Sequence, residues 1–313
     1  MTGPAPRGRG SGRAYLLLTA TTLCWAANAI FGRLAVGQVS PMALVTLRWL
    51  GALGLLAVFA HARVRRDWPT IRPRLPFVAA MGALGFTTFT ALYYVAAHWT
   101  TAVNLGILQG AIPVFVLAGA LTIDRTPVGG MQLSGVLVTL LGVVIVACGG
   151  DFARLASLTF NFGDLLMIAA CALYSSYMLA LRRRPPVSAL GLFTVMAAAA
   201  FLASLPLALA EAAFGRFQWP TPAGWLIVAL VTLFPSFLAQ IFFIEGIALI
   251  GPSRAGVFVN LVPVFASILA VVVLGEPFAR FHALALVLVL GGIWLAERGK
   301  WTDALSDPAY RDS

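Results

Sequence analysis

Apolar residues in this chain neither alternate nor recur at every third or fourth position. They run together in blocks of about 20, the length that carries an α-helix across roughly 30 Å of hydrocarbon at about 1.5 Å per residue. Such blocks lie at residues 14–36, 41–60, 131–148, 165–181, 188–210, 222–247, 255–274 and 281–296. Between residues 75 and 123 there is no Asp, Glu, Lys or Arg, a stretch too long for one crossing, and the polar knot His98-Trp99-Thr100-Thr101 divides it in two. The pattern predicts an all-α membrane protein of ten transmembrane helices. Arg7, Arg9 and Arg13 precede the first block as they would in a signal peptide, but the block is longer than a secretory apolar region and lacks a convincing A-x-A cleavage site. It is therefore counted as helix 1.

A second regularity is internal. Residues 106–142 can be laid over 256–292 with a constant offset, so that Gly106, Pro113, Val114, Phe115, Pro127 and Gly142 fall on Gly256, Pro263, Val264, Phe265, Pro277 and Gly292. Upstream, Trp25 and Asn28 fall opposite Tyr174 and Tyr177, and Tyr93-Tyr94 opposite Phe242-Phe243. The expected organisation is a tail (1–13), a first repeat of helices 1–5 (14–150), a second repeat of helices 6–10 (163–298) and a second tail (299–313). Five is odd, so the second copy is expected upside down relative to the first, the inverted-repeat plan of secondary transporters with a site at the bilayer midplane.

Composition narrows the class. Of 313 residues 60% are hydrophobic and 10% charged, against roughly 25% charged in soluble domains. A cytosolic enzyme, a secreted disulfide scaffold and a nucleic-acid binder are excluded. The net charge of +10 is an orientation signal, because the basic residues gather at one set of span ends: Arg7, Arg9 and Arg13, then Arg63 to Arg74, Arg125, Arg182 to Arg184, Arg254, and Arg298 to Arg311. Only Arg154, Arg216 and Arg280 fall in the opposite loops, which predicts both termini in the cytoplasm. Cys24, Cys148 and Cys171 lie inside apolar runs without metal or disulfide spacing. His61, His98 and His282 are scattered, so neither metal, cofactor nor catalytic centre is expected.

Leu23-Cys24-Trp25-Ala26-Ala27-Asn28 in helix 1, Arg48 in helix 2, Ala91-Leu92-Tyr93-Tyr94-Val95-Ala96-Ala97 in helix 3 and Pro263-Val264-Phe265 with Leu274-Gly275-Glu276 in helix 9 resemble the EamA family of the drug/metabolite transporter superfamily. Within it the chain looks most like amino-acid exporters of the YddG type. The resemblance spans residues 15–294 and implies export of small metabolites across the inner membrane, with helices 1, 3, 4, 6, 8 and 9 around a cavity and 2, 5, 7 and 10 outside. The first copy ends Ile123-Asp124-Arg125-Thr126 where the second has Leu-Gly-Glu, so that acid is not duplicated.

Thr21, Trp25, Asn28 and Gly32 share one face of helix 1. Phe89 and Tyr93 on helix 3 and Tyr174 and Tyr177 on helix 6 extend this polar and aromatic lining, and Asn104, Gln240 and Asn260 add amides. An unpaired polar group in hydrocarbon costs several kcal/mol, so these amides either meet substrate and water or tie helices together. Pro113 and Pro263 each remove an amide donor in mid-helix and are expected to act as hinges. Glu245 is the acid placed deepest in a span, with Arg254 as its expected partner and proton coupling as the alternative. Arg33 and Arg48 are expected to snorkel from the external halves of their helices, and Glu276 to pair with Arg280. Helix 1 carries no acid, which suits neutral or zwitterionic solutes better than cations. The expected function is alternating-access export of small metabolites, amino acids foremost, by a monomer whose partners are its solute and membrane lipid. The alternatives are a proton-coupled exporter of other organic solutes or drugs and, remotely, a membrane-embedded enzyme.

Overall fold

The computed structural model describes residues 9–123, 129–151, 161–250, 255 and 258–306, and every regular element among them is helical. The first half comprises α1 (Arg9–Ala35), α2 (Pro41–Ile71), α3 (Leu75–Gly82), α4 (Phe89–Ala96), α5 (Ala102–Leu108), α6 (Ile112–Ile123) and α7 (Gly130–Ala147). The second comprises α8 (Phe162–Ala180), α9 (Ala189–Ala213), α10 (Pro222–Val231), α11 (Ala239–Ile250), α12 (Val262–Leu274) and α13 (Arg280–Ser306). Seven of the helical runs among the described residues are long and apolar enough to cross a membrane, and Val262–Leu274 and Arg280–Ala296 are shorter apolar helices.

Local chemistry starts several of these helices. Thr101, Asn161, Ser188 and Thr221 turn their side-chain oxygens onto the amides of Asn104, Gly163, Gly191 and Gly224, each satisfying a donor that the first helical turn leaves free. Gly275 closes α12 in the left-handed conformation, with φ 65°. Two helices outrun their apolar blocks: α2 continues past residue 60 to Ile71, and α13 past 296 to Ser306. Hydrocarbon ends at those points, but the hydrogen-bonded ladder does not.

Two π-helical turns interrupt the long runs. The first, Ala83–Thr88, joins α3 to α4, and the second, Thr232–Leu238, joins α10 to α11. Thr88 Oγ1 donates to the Ala83 carbonyl at 3.1 Å and Ser236 Oγ to the Val231 carbonyl at 2.7 Å, each spanning the five residues of the widened turn. Pro235 lies inside the second, where it supplies no amide to the ladder. Pro113 and Pro263 also stand at discontinuities: Pro113 follows a 3-10 turn at Gln109–Ala111, and Pro263 opens α12.

Packing between the halves follows an exchange rule. α1 packs on α11, α12 and the second π-turn, and its counterpart α8 packs on α4, α6 and the first π-turn. α2 packs on α9, α7 on α13 and α5 on α12. The α7–α13 crossing is built on glycine: a Cβ on Gly135 would strike backbone at Gly292 and Ala296, and one on Gly292 would strike backbone at Gly135 and Thr139. Close approach of small residues is how helices gain contact where lipid supplies no hydrophobic drive.

Candidate functional site

Phe89, Tyr93, Tyr174 and Tyr177, singled out from the sequence, come together with Trp49, Phe86 and Tyr94, which were not assigned to the site. Trp49 stacks on Phe86 with ring centroids 4.9 Å apart. From Phe86 the succession runs to Tyr177 at 5.3 Å, Tyr174 at 5.4 Å, Phe89 at 4.9 Å, Tyr93 at 5.8 Å and Tyr94 at 5.7 Å. The Arg48 guanidinium closes the circuit, lying 5.2 Å from the Trp49 ring centroid and 5.6 Å from that of Tyr94. Phe89, Tyr174 and Tyr177 are half-buried, and Phe89 and Tyr177 pack against the core. Gly85 makes room for Tyr177, whose ring would meet any Cβ there.

Across from this circuit, Trp25 lies 5.1 Å from Phe243 of α11. Asn28 is buried; its Oδ1 accepts from Tyr94 Oη at 2.8 Å and from Arg48 Nη1 at 3.4 Å. Gly32, one turn further, faces the rings of Tyr93 and Tyr94, where a Cβ would make ordinary van der Waals contact at 3.4 to 3.5 Å. Gln240 and Asn260 are half-buried at the starts of α11 and α12.

Three expectations about charge need correction. Arg48 does not snorkel: it is 4% exposed, donating from Nε to Ser236 Oγ at 2.9 Å and from Nη1 to Tyr94 Oη at 2.5 Å. Neutral oxygens and two aromatic faces satisfy it where it lies. Glu276 does not turn to Arg280. Its carboxylate accepts the amides of Ala102 and Val103, at 2.9 and 3.0 Å, and lies 3.8 Å from Arg33 Nε. The first turn of α5 offers free amides and a favourable dipole, and Arg33 also donates to the Ala97 carbonyl. Glu245 takes Arg13 as an ion-pair partner at 3.2 Å, with 49% of its side chain exposed. Arg254 lies outside the described residues.

Sequence reading missed Asp164, the more deeply buried of two buried acids among the described residues, the other being Asp67. Asp164, 1% exposed in the first turn of α8, accepts from Thr100 Oγ1 at 2.5 Å and from Asn104 Nδ2 at 3.3 Å. Asn104 Oδ1 lies 3.2 Å from His282 Nε2, and His282 Nδ1 accepts the Ala279 amide, which leaves Nε2 as the proton donor. Asn104 thus belongs to a polar cluster at the Arg-poor end of the bundle, apart from the aromatic circuit. The signal was present: Asn161 followed three residues later by an acid marks a helix start. Among the described residues no group of His, Cys, Asp and Glu is arranged to hold a metal.

Aromatic rings and the Asn28 amide are thus gathered into one packed cluster around Arg48, whereas the cavities between the helices are lined by other residues, Pro113, Gln132 and Thr139 in one and His61, Arg65 and Thr194 in another. The EamA-like transporter family model matches twice, over residues 12–148 and 161–297. The chain belongs to this family. It is an EamA transporter of the drug/metabolite superfamily, with two repeats embedded in a membrane as a multi-pass protein. Similar proteins agree in kind. The uncharacterized transporter YetK of Bacillus subtilis is 27% identical over 286 residues, covering 90% of this chain and 86% of its own. The uncharacterized inner membrane transporter YedA of Escherichia coli is 23% identical, covering 91% and 90%. A crystal structure of a protein 22% identical in sequence superposes with a TM-score of 0.63 over 95% of this chain and 99% of that one. At that identity the likeness speaks to the EamA fold alone.

Proposed function

We propose that the chain exports small metabolites, amino acids foremost, across the inner membrane by alternating access, as ten transmembrane helices in two inverted repeats with both termini in the cytoplasm. The observation that carries this reading is the antiparallel pairing of counterpart helices. α2 and α9 occupy the same place in the two repeats, yet the end of each meets the start of the other. α7 and α13 repeat the relation, Gly135 approaching Ala296 and Gly150 approaching Phe281. Counterparts that run antiparallel imply a two-fold axis in the membrane plane, the symmetry of inverted repeats.

The helix count is consistent. The run Pro41–Ala96 contains 56 residues, about 84 Å of helix at 1.5 Å per residue, enough for two crossings parted near Arg72–Arg74. The two shorter apolar helices then complete ten, grouped at residues 14–150 and 163–298. The name of YedA, an inner membrane transporter, supports the compartment, and the arginine asymmetry supports the orientation.

Trp25, Asn28, Phe89, Tyr93, Tyr174, Tyr177, Gln240 and Asn260 are assigned to the solute, Asn104 to positioning α5, and Pro113 and Pro263 to hinge points. Ties at the Arg-poor end, through Glu276, Arg33 and Asp164, suit a conformation closed to the outside. A lining of rings and amides favours neutral or zwitterionic solutes, as in amino-acid exporters of the YddG type. The test is counterflow of radiolabelled amino acids in proteoliposomes. Saturable exchange of at least one is expected; movement of none removes this solute class, and non-saturable flux replaces the carrier by a pore.

A further inference from the structure

Arg48 carries a full positive charge into a buried position where, among the described residues, no carboxylate lies within ion-pair distance. Its hydrogen-bond partners are the neutral oxygens of Asn28, Tyr94 and Ser236. A buried charge is costly unless compensated, and a membrane-depth arginine is a functional candidate for that reason. A second, independent observation falls in the same place. Among the described residues, the buried side-chain polar atoms without a hydrogen-bond partner are Trp49 Nε1 and Tyr93 Oη. Trp49 adjoins Arg48 in sequence and lies beneath its guanidinium, while Tyr93 packs edge-on against Tyr94, whose hydroxyl Arg48 grips.

Donors therefore outnumber acceptors here: Arg48 brings five guanidinium N–H groups, and the side chains packed around it add an indole N–H and a phenol hydroxyl that have no acceptor. Both π-turns border the cluster, the first through Phe86 on Trp49 and the second through Ser236 on Arg48. Such turns recur at functional sites because they splay the backbone locally. A carboxylate is the complement, supplying negative charge and up to four acceptor positions to a planar donor fork.

We propose that Arg48, with Trp49 and Tyr93 beside it, seats the carboxylate of the transported solute. This rests on the exporter reading above and adds a chemical requirement to it: the solute bears a carboxylate, and its amide or decarboxylated analogue is rejected. Arg48 acting only as a staple between α2, α4 and the second π-turn is the rival role, and it predicts no such discrimination.

The experiment uses the full chain in proteoliposomes, with counterflow of an amino acid that moves competed by the same amino acid, its amide and its amine. In the wild type the acid competes at least about tenfold better, the scale of one charged hydrogen bond. Arg48→Gln removes that preference, and Arg48→Lys keeps part of it. Tyr93→Phe raises KM about fivefold without lowering the melting temperature, since the lost hydroxyl has no protein partner. Equal competition by acid and amide in the wild type overturns the proposal, as does a preference that survives Arg48→Gln. If Arg48→Gln does not fold, an unchanged KM in Tyr93→Phe overturns it. Should no amino acid move, the solute class fails separately, and thermal shift by simple monocarboxylates against their amides reads the seat. A shift reduced in Arg48→Lys or Tyr93→Phe supports it, and no shift in the wild type overturns it.

Discussion

Asp67, near the end of α2, accepts hydrogen bonds from both the amide and the hydroxyl of Ser188, the residue that caps the start of α9. The relation is returned at the other end of the same pair. Glu211 of α9 accepts from Ser40 Oγ at 2.5 Å and from the Met42 amide at 3.3 Å, where α2 begins. Each helix thus places a carboxylate on the positive end of its partner's dipole. The two form one strut fixed at both ends.

Removing either cap costs stability without touching the aromatic circuit. Asp67→Ala and Glu211→Ala are each expected to destabilise by about 1 kcal/mol, the scale of a lost helix cap. The caps lie at opposite ends of the pair, so the double variant is expected to show the sum within about 0.5 kcal/mol. Thermal unfolding of the detergent-solubilised protein measures all three; strong non-additivity would mean that the strut does not behave as two independent ends.

Glu276 holds the first turn of α5 by two backbone amides, and no other acceptor is recorded for them. In Glu276→Ala the amides of Ala102 and Val103 lose their acceptor, a change of about 1 to 3 kcal/mol for buried donors bonded to a charged group. Hydrogen–deuterium exchange across residues 98–108 is expected to quicken by tenfold or more, with peptides of α9 unchanged. Uniform acceleration throughout the chain would instead signal global loosening.

These carboxylates mark where sequence reading stops. Hydropathy located the helices because the solvent is hydrocarbon and the requirement is nearly one-dimensional. The aromatic residues were legible too, since Trp25, Asn28, Tyr174 and Tyr177 stood out as polar or ring-bearing on otherwise apolar faces. The partners of charges were not. Asp67 and Ser188 are separated by 121 positions and Glu276 and Ala102 by 174, distances over which pattern carries no register. Arg48 was placed by depth alone, although an arginine that finds three neutral oxygens and two rings has no reason to reach for the surface. The π-turns were equally hidden, because Thr88 and Ser236 look like ordinary membrane hydroxyls until their acceptor is seen five residues back.

The α7–α13 crossing is expected to be intolerant of size. At Gly292 an added Cβ meets the Gly135 carbonyl and the Thr139 amide, backbone atoms that cannot rotate away. Gly292→Val forces the helices apart and is expected to cost about 1 to 3 kcal/mol, the usual penalty of overpacking. Gly291→Ala, one position along on an open face with nothing within 4 Å of its Cβ, is expected to be neutral or slightly stabilising by helix propensity. Parallel melting curves decide it; similar losses in both would point to backbone flexibility rather than contact.

Glu245, the acid singled out from the sequence, is half-exposed, and Asp164, which was not, is buried. Glu245 and Arg13 form an ion pair with 49% and 64% of their side chains exposed, and such pairs contribute about 0 to 1 kcal/mol. Glu245→Gln is therefore expected to leave the melting temperature nearly unchanged and to preserve any accumulation driven by a pH gradient in proteoliposomes. Abolished accumulation with intact exchange would restore a coupling role to this acid. Asp164, by contrast, is surrounded by donors: Thr100 Oγ1 and Asn104 Nδ2 both point at it. Asparagine there would turn an amide NH2 toward one of them, so Asp164→Asn is expected to destabilise by about 1 to 3 kcal/mol. Thr100→Val removes one donor and relieves part of that conflict, so the double variant should lose less than the sum of the singles. An additive cycle would mean that Thr100 and Asp164 act separately and that the cluster binding α5 to α8 is weaker than its geometry implies.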